Sequence, residues 1–152
     1  MTLSEKLIEL GIALPPAPTP VGSYVAATTS GKTVYTSGML PIVDGALCCA
    51  GKIPGDVSVE CGQKAARIAV LNGLAAIQAE IGSLDNIAKI IRINVFVNSS
   101  AGFFDQAAIA NGASNTLVEI FGDVGKHTRC AVGMAELPLN TPVELDILAE
   151  IK

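Results

Sequence analysis

The sequence predicts an α+β fold, a two-layer sandwich in which two long helices cover one face of a single mixed sheet. Three observations predict it. Residues 58–81 and 103–121 repeat apolar side chains at helical spacing, residues 87–98 and 142–151 alternate with period two, and no linker or composition shift interrupts the order β-β-α-β-α-β-β. The 152 residues form one domain, 1–152, in which residues 1–20 are an N-terminal helix and a proline-rich arm. A chain of this length buries about 68–70% of its unfolded surface, so its core needs no disulfide or metal staple.

Leu3, Leu7, Ile8 and Leu10 form one stripe of a short amphipathic helix that Gly11 stops. Pro15, Pro16, Pro18 and Pro20 then impose an extended arm. Residues 23–29 and 33–37 read as two strands joined through Ser30-Gly31-Lys32, and residues 38–55 read as a loop with room for a short strand. Ala66, Val70, Leu74, Ile77 and Ile81 recur three and four apart, a long helix over 58–81 that ends at Gly82. Ile91, Ile93, Val95 and Val97 alternate with Arg92, Asn94, Phe96 and Asn98, a strand with one buried face. A second helix spans 103–121, weakened at Gly112 and bounded by Gly122. Strands at 129–137 and 142–151 follow, joined by a turn at Pro138-Leu139-Asn140 and readable as an antiparallel hairpin. Such pairing places Arg129 at the far end from Glu144.

Ten basic against fourteen acidic residues give a net charge of −4, the wrong sign for a phosphate-binding surface and an argument against a nucleic-acid partner. No apolar run reaches the roughly 18 residues of a membrane span, and residues 1–9 carry mixed charge rather than a secretory signal. The expectation is a soluble, cytoplasmic protein with no membrane partner. Charged residues make up 16% of the chain, below the average of about 25%. The helices cover one sheet face only, so the other face is either solvated or buried against neighbouring subunits, and the low charge favours an apolar face buried in that way.

Cys48, Cys49, Cys61 and Cys130 contain no C-x-x-C pair and have no histidine cluster beside them, which argues against zinc. The adjacent Cys48 and Cys49 read either as reduced thiols in a small-residue loop or as a redox pair. His127 is the only histidine, so any nucleophile–histidine scheme runs through it; the alternative is an ordinary loop histidine. Arg129 offers a fork for a carboxylate ligand and Glu144 a group to hold or activate water; the alternative is two solvated strand-end charges. Arg67 and Arg92 sit inside regular elements with no cleft motif around them. The motifs for dinucleotides, nucleotide phosphates and zinc peptidases are absent.

Gly22-Ser23-Tyr24-Val25, Val34-Tyr35-Thr36-Ser37-Gly38-Met39-Leu40-Pro41, Val95-Phe96-Val97, Thr128-Arg129-Cys130-Ala131-Val132, Leu137-Pro138 and Val143-Glu144-Leu145-Asp146 occur in this order over residues 20–152. Together they resemble the RidA/YjgF family of reactive-intermediate imine deaminases, also called endoribonuclease L-PSP proteins. The resemblance implies a chorismate-mutase-like fold and a homotrimer whose sheets close into a central barrel, with ligand clefts between subunits. It implies that Arg129 binds the carboxylate of a small 2-imino acid and that Glu144 positions the attacking water. Tyr24, Ser37, Gly38, Phe103 and Cys130 fall at or beside positions that line the cleft, although Tyr24 and Phe103 also suit plain packing and Gly38 a strand end. No metal or organic cofactor is implied. The implied reaction is hydrolysis of 2-aminoacrylate-like imines or enamines to 2-keto acids and ammonia; the alternatives are carboxylate sensing without turnover and ribonuclease activity. The chain departs from common members at Ala131, Gly133 and Ala101-Gly102, which marks a divergent branch.

Overall fold

A computed structural model describes every residue, Met1–Lys152. In chain order the elements are α1 (Leu3–Glu9), β1 (Ala27–Ser30), β2 (Thr33–Thr36), β3 (Ile42–Val43), β4 (Ala46–Leu47), α2 (Val59–Ile81), β5 (Ile87–Asn98), α3 (Gln106–Phe121), β6 (Thr128–Met134) and β7 (Val143–Ile151). The α+β sandwich is as predicted, with α2 and α3 on one face of a five-stranded mixed sheet ordered β1-β2-β7-β5-β6.

Local chemistry sets the main boundaries. Ser58 caps α2 by accepting from Cys61 N, and Gly82 ends the helix at φ 87. Thr2 and Glu5 form a capping box on α1. The loop after β2 contains the small β3-β4 hairpin, turning at Asp44-Gly45. Two boundaries fall later than the sequence suggests. Residues 23–26 lie outside β1, and α3 starts at Gln106 because Phe103 N closes a turn on Ser100 O (3.0 Å) and Gln106 Nε2 turns back to Phe103 O (2.9 Å).

Ala65, Ala66, Ala69, Val70, Leu74 and Ile77 of α2 are fully buried, together with Ile109, Ala113 and Leu117 of α3 and Val143, Leu145 and Ile147 of β7. Each buried Leu, Ile or Val side chain contributes about 1.5–3 kcal/mol relative to exposure. Gly112 lies at the helix crossing: a Cβ there would stand 2.8 Å from the carbonyl carbon of Gln63 and 2.9 Å from its Cα. The residue that weakens α3 as an isolated helix is the one that lets its backbone meet α2.

The predicted hairpin between the last two strands does not form. β6 pairs in parallel with β5 at the edge of the sheet, whereas β7 crosses to the other side of β5 and lies between it and β2. The β5-α3-β6 crossover explains the parallel pairing. β7 supplies four buried core residues, Val143, Leu145, Ile147 and Ala149, and so takes a central place. The helix-facing positions of β6 are Arg129, Ala131 and Gly133, which suit an edge. In β5, register shifts near Ile87–Lys89 and Ile90–Arg92 bury Ile90 with Ile93 and leave Ile91 only partly covered, where simple alternation had put Ile91 in the core.

The face away from the helices is not the apolar surface that the low charge suggested. Register places Tyr35, Leu148, Phe96, Val132 and Met134 there, but also Glu144, Asp146, Arg92 and Asn94. No helix is long and apolar enough to cross a membrane.

Candidate functional site

Arg129 and Glu144 project from opposite faces of the sheet. Arg129 is opposite Ile93 on β5, whose side chain enters the core under the helices; Glu144 is opposite Phe96, on the open face. Three residues along β5 and two strand spacings across separate them by about 10 Å in each direction. Within one chain they do not converge.

The Glu144 group is built by β2, β7 and β5. Met39 and Leu145 form an isolated antiparallel bridge, with Met39 N donating to Leu145 O (2.6 Å) and Leu145 N to Met39 O (3.1 Å), and this seats Gly38 beside Glu144. A Cβ on Gly38 would lie 3.0 Å from Glu144 Cδ, so the carboxylate rests on bare backbone. Partial burial, and then the charge of Asp146, raise the Glu144 pKa above its ordinary value. A carboxylate with its proton affinity raised in this way is a stronger base than an ordinary one.

From Asp146 a polar string runs over the open face. Asn94 Nδ2 donates to Asp146 Oδ1 (2.8 Å), Arg92 Nε to Asn94 Oδ1 (3.1 Å), and Arg92 Nη2 to Cys130 Sγ (3.0 Å). Arg92, which has no motif around it in the sequence, therefore touches a candidate site residue. Cys130 itself is exposed on this face, opposite to the side that Arg129 takes.

The Arg129 group sits at the sheet edge against α3. Nη1 donates to Asn111 Oδ1 (2.8 Å) and Ser114 Oγ (3.0 Å), and Nη2 makes a long contact to Ala107 O (3.4 Å). Both Nη1 hydrogens are used, while Nε has no protein acceptor. The Nε and Nη2 edge is the one that offers two parallel N–H bonds to a carboxylate. Ser114 Oγ also meets His127 Nε2 (2.9 Å), and His127 Nδ1 meets Gly125 O (2.6 Å). The sequence reading missed Asn111 and Ser114. Their spacing with Ala107 on one helix stripe is a signal only once β6 is known to lie beside α3.

The other candidates fall around these two groups. Ser37 donates its hydroxyl to Val25 O (2.6 Å) and its N–H to Ala26 O (2.8 Å), which ties down the segment that carries half-exposed Tyr24. Phe103 is partly buried and packs on the core, whereas the neighbouring Phe104 is 89% exposed. Arg67 pairs with Glu119 (2.8 Å) between the helices, away from both groups. No set of three or more His, Cys, Asp or Glu side chains is placed to hold a metal ion.

Comparisons with known proteins fit this architecture. The chain is 42% identical to Protein TCP17 of Trypanosoma cruzi over 150 residues, covering 98% of this chain and 94% of that one. It is 29% identical over 141 residues to the 2-iminobutanoate/2-iminopropanoate deaminase of Dermatophagoides farinae, covering 93% and 95%. Among solved structures, Atu1372 of Agrobacterium tumefaciens, described as of unknown function, superposes with a TM-score of 0.91 at 40% identity, covering 99% of this chain and 92% of that one. E. coli TdcF with bound serine superposes with a TM-score of 0.65 at 27% identity, covering 90% and 94%. The family model described as "YjgF/chorismate mutase-like, putative endoribonuclease" matches residues 4–151, nearly the whole length, and on that match the chain belongs to the YjgF/chorismate mutase-like family.

Proposed function

We propose that this protein is a cofactor-free hydrolase that converts small 2-imino or enamino acids to 2-keto acids and ammonia, in clefts between copies of a homotrimer. The observation that carries the reading is the guanidinium of Arg129, pinned through Nη1, with Nε free of any protein acceptor and Nη2 making only a long contact to Ala107 O (3.4 Å). The Nε–Nη2 edge fits the carboxylate shared by 2-imino acids and their keto-acid products. The imine deaminase among the relatives and the serine held by TdcF support a ligand of this class.

Because Arg129 and Glu144 face opposite sides of one sheet, a complete site takes Arg129 from one copy and Glu144 from the next. Arg129 holds the carboxylate. Glu144 accepts a proton from water as its oxygen adds to C2 of the iminium, giving a carbinolamine. The same carboxyl returns the proton to nitrogen, then takes the proton of the carbinol hydroxyl as the C2–N bond breaks and passes it to the departing ammonia, so that the keto acid and ammonium leave. An enamine substrate first takes a proton at C3 to become the iminium. The bare backbone at Gly38 gives the Glu144 carboxylate its seat.

The test follows keto-acid formation from freshly generated 2-aminoacrylate, with the oligomer measured by sedimentation. The expected result is a trimer in which Arg129→Ala lowers kcat/KM by about 10- to 100-fold, the value of a charge-assisted pair. An Arg129→Ala variant as fast as the parent overturns the role. Tight binding of 2-ketobutyrate that depends on Arg129, without any hydrolysis, would select carboxylate sensing instead.

A further inference from the structure

The hydrogen bonds behind Arg129 have a fixed direction. Gly125 O can only accept, so His127 Nδ1, 2.6 Å away, carries the proton. A neutral imidazole then presents Nε2 as an acceptor, and Ser114 Oγ donates to it over 2.9 Å. The oxygen lone pairs of Ser114 are left for Arg129 Nη1 at 3.0 Å, while the second Nη1 hydrogen goes to Asn111 Oδ1 at 2.8 Å. Each group orients the next, from the Gly125 carbonyl to the guanidinium. A protonated imidazole would instead point Nε2–H at the same oxygen that Arg129 uses and set a second cation beside the guanidinium. The Nδ1–H tautomer is the arrangement in which the donors of His127, Ser114 and Arg129 Nη1 each meet an acceptor.

This chain of bonds decides which edge of Arg129 stays open. An arginine with all five N–H groups free can rotate about its side-chain bonds and lose the entropy of that freedom on binding. With Nη1 consumed on α3, the guanidinium plane is set before any ligand arrives, and the edge that remains is Nε with Nη2, whose one protein contact is the long one to Ala107 O (3.4 Å). Ser114 and His127 are both partly buried, and neither belongs to the open-face group around Glu144.

We propose that His127 and Ser114 are positioning residues for carboxylate recognition: the imidazole sets the direction of the Ser114 hydroxyl, which with Asn111 fixes the guanidinium of Arg129. This rests on the reading of Arg129 as the carboxylate anchor. The two residues act through Arg129, so their loss affects ground-state binding of the carboxylate rather than proton transfer at Glu144.

The experiment uses the full chain, with 2-ketobutyrate as a calorimetric probe and 2-aminoacrylate as substrate. Ser114→Ala and His127→Ala are expected to raise Kd and KM about three- to tenfold, the value of a neutral hydrogen bond, with kcat within about twofold. Ser114→Thr, which keeps the hydroxyl, and His127→Gln, which offers an amide oxygen near the Nε2 position, are expected to recover most of the loss. If both alanine variants bind 2-ketobutyrate like the parent while Arg129→Ala does not bind it, the positioning role is overturned and the anchor stands. If Arg129→Ala also binds like the parent, the anchor reading falls first. A measurement independent of any variant is available because His127 is the only histidine. Nitrogen-15 NMR at pH 8 is expected to show Nδ1 protonated and Nε2 bare, and the opposite tautomer overturns the proposal.

Discussion

Gly38 and Glu144 are held against one another so closely that a Cβ on Gly38 would meet Glu144 Cδ at 3.0 Å and Cγ at 3.3 Å. The Met39–Leu145 bridge fixes the two backbones, and only the absence of a side chain at Gly38 leaves the carboxylate where it is. Gly38→Ala therefore forces Glu144 to swing away. The expected outcome is a folded protein with kcat/KM for 2-aminoacrylate down by about 10- to 100-fold, as for a catalytic group misplaced by an ångström. Unchanged turnover would show that the seat at Gly38 plays no part in the reaction.

Glu144 also leaves a signature in stability. Its carboxyl binds a proton more tightly in the fold than in the unfolded chain, because burial and Asp146 raise its pKa above 4.5. Its contribution is therefore most favourable below the unfolded value, falls as pH rises from 4.5 through the raised folded value, and is constant above. Glu144→Gln removes that loss. Its melting temperature relative to the parent is expected to rise over the same window and then level off, while hydrolysis is lost. A difference that moved the opposite way with pH would refute the raised pKa.

At the helix crossing, Gly112→Ala places a methyl group against the Gln63 backbone, where a Cβ stands 2.9 Å from Cα. Backbone cannot step aside as a side chain tip can, so α2 and α3 must separate. Although alanine favours an isolated helix by about 1 kcal/mol, the net expectation is destabilisation by about 1–3 kcal/mol. Thermal unfolding reads this as a fall of several degrees. A variant melting at or above the parent would show that the helices accommodate the methyl.

The adjacent thiols are unequal. Cys49 is pushed up to about 12, first by burial and then by its hydrogen bond with Cys48, whose Sγ is 3.7 Å away. Cys48, Cys61 and Cys130 are exposed. Alkylation at pH 8, followed by mass spectrometry, is expected to label these three first and Cys49 last, by about tenfold or more in rate. Early labelling of Cys49 would restore the redox reading of the pair that a protonated thiol disfavours.

The sequence by itself determined the elements and the layer they build. Periodicity placed α2 between Ser58 and Gly82 and β5 over Ile87–Asn98, because one buried face imposes its period on the residues. It also supplied Arg129 and Glu144 as the charges to examine, through motifs that are local in the chain. Only the tertiary structure decided strand order. Alternation says that a strand has a buried face but not which strand lies beside it, so the crossing of β7 over β5 and the opposed directions of Arg129 and Glu144 were not legible. The same holds for Ser114 and His127, which are 13 residues apart and meet only because α3 packs on β6. Low charge content suggested an apolar open face, which the structure does not show. Composition averages over the chain, whereas the sheet sorts Arg92, Asn94, Glu144 and Asp146 onto the face that the count alone suggested was apolar.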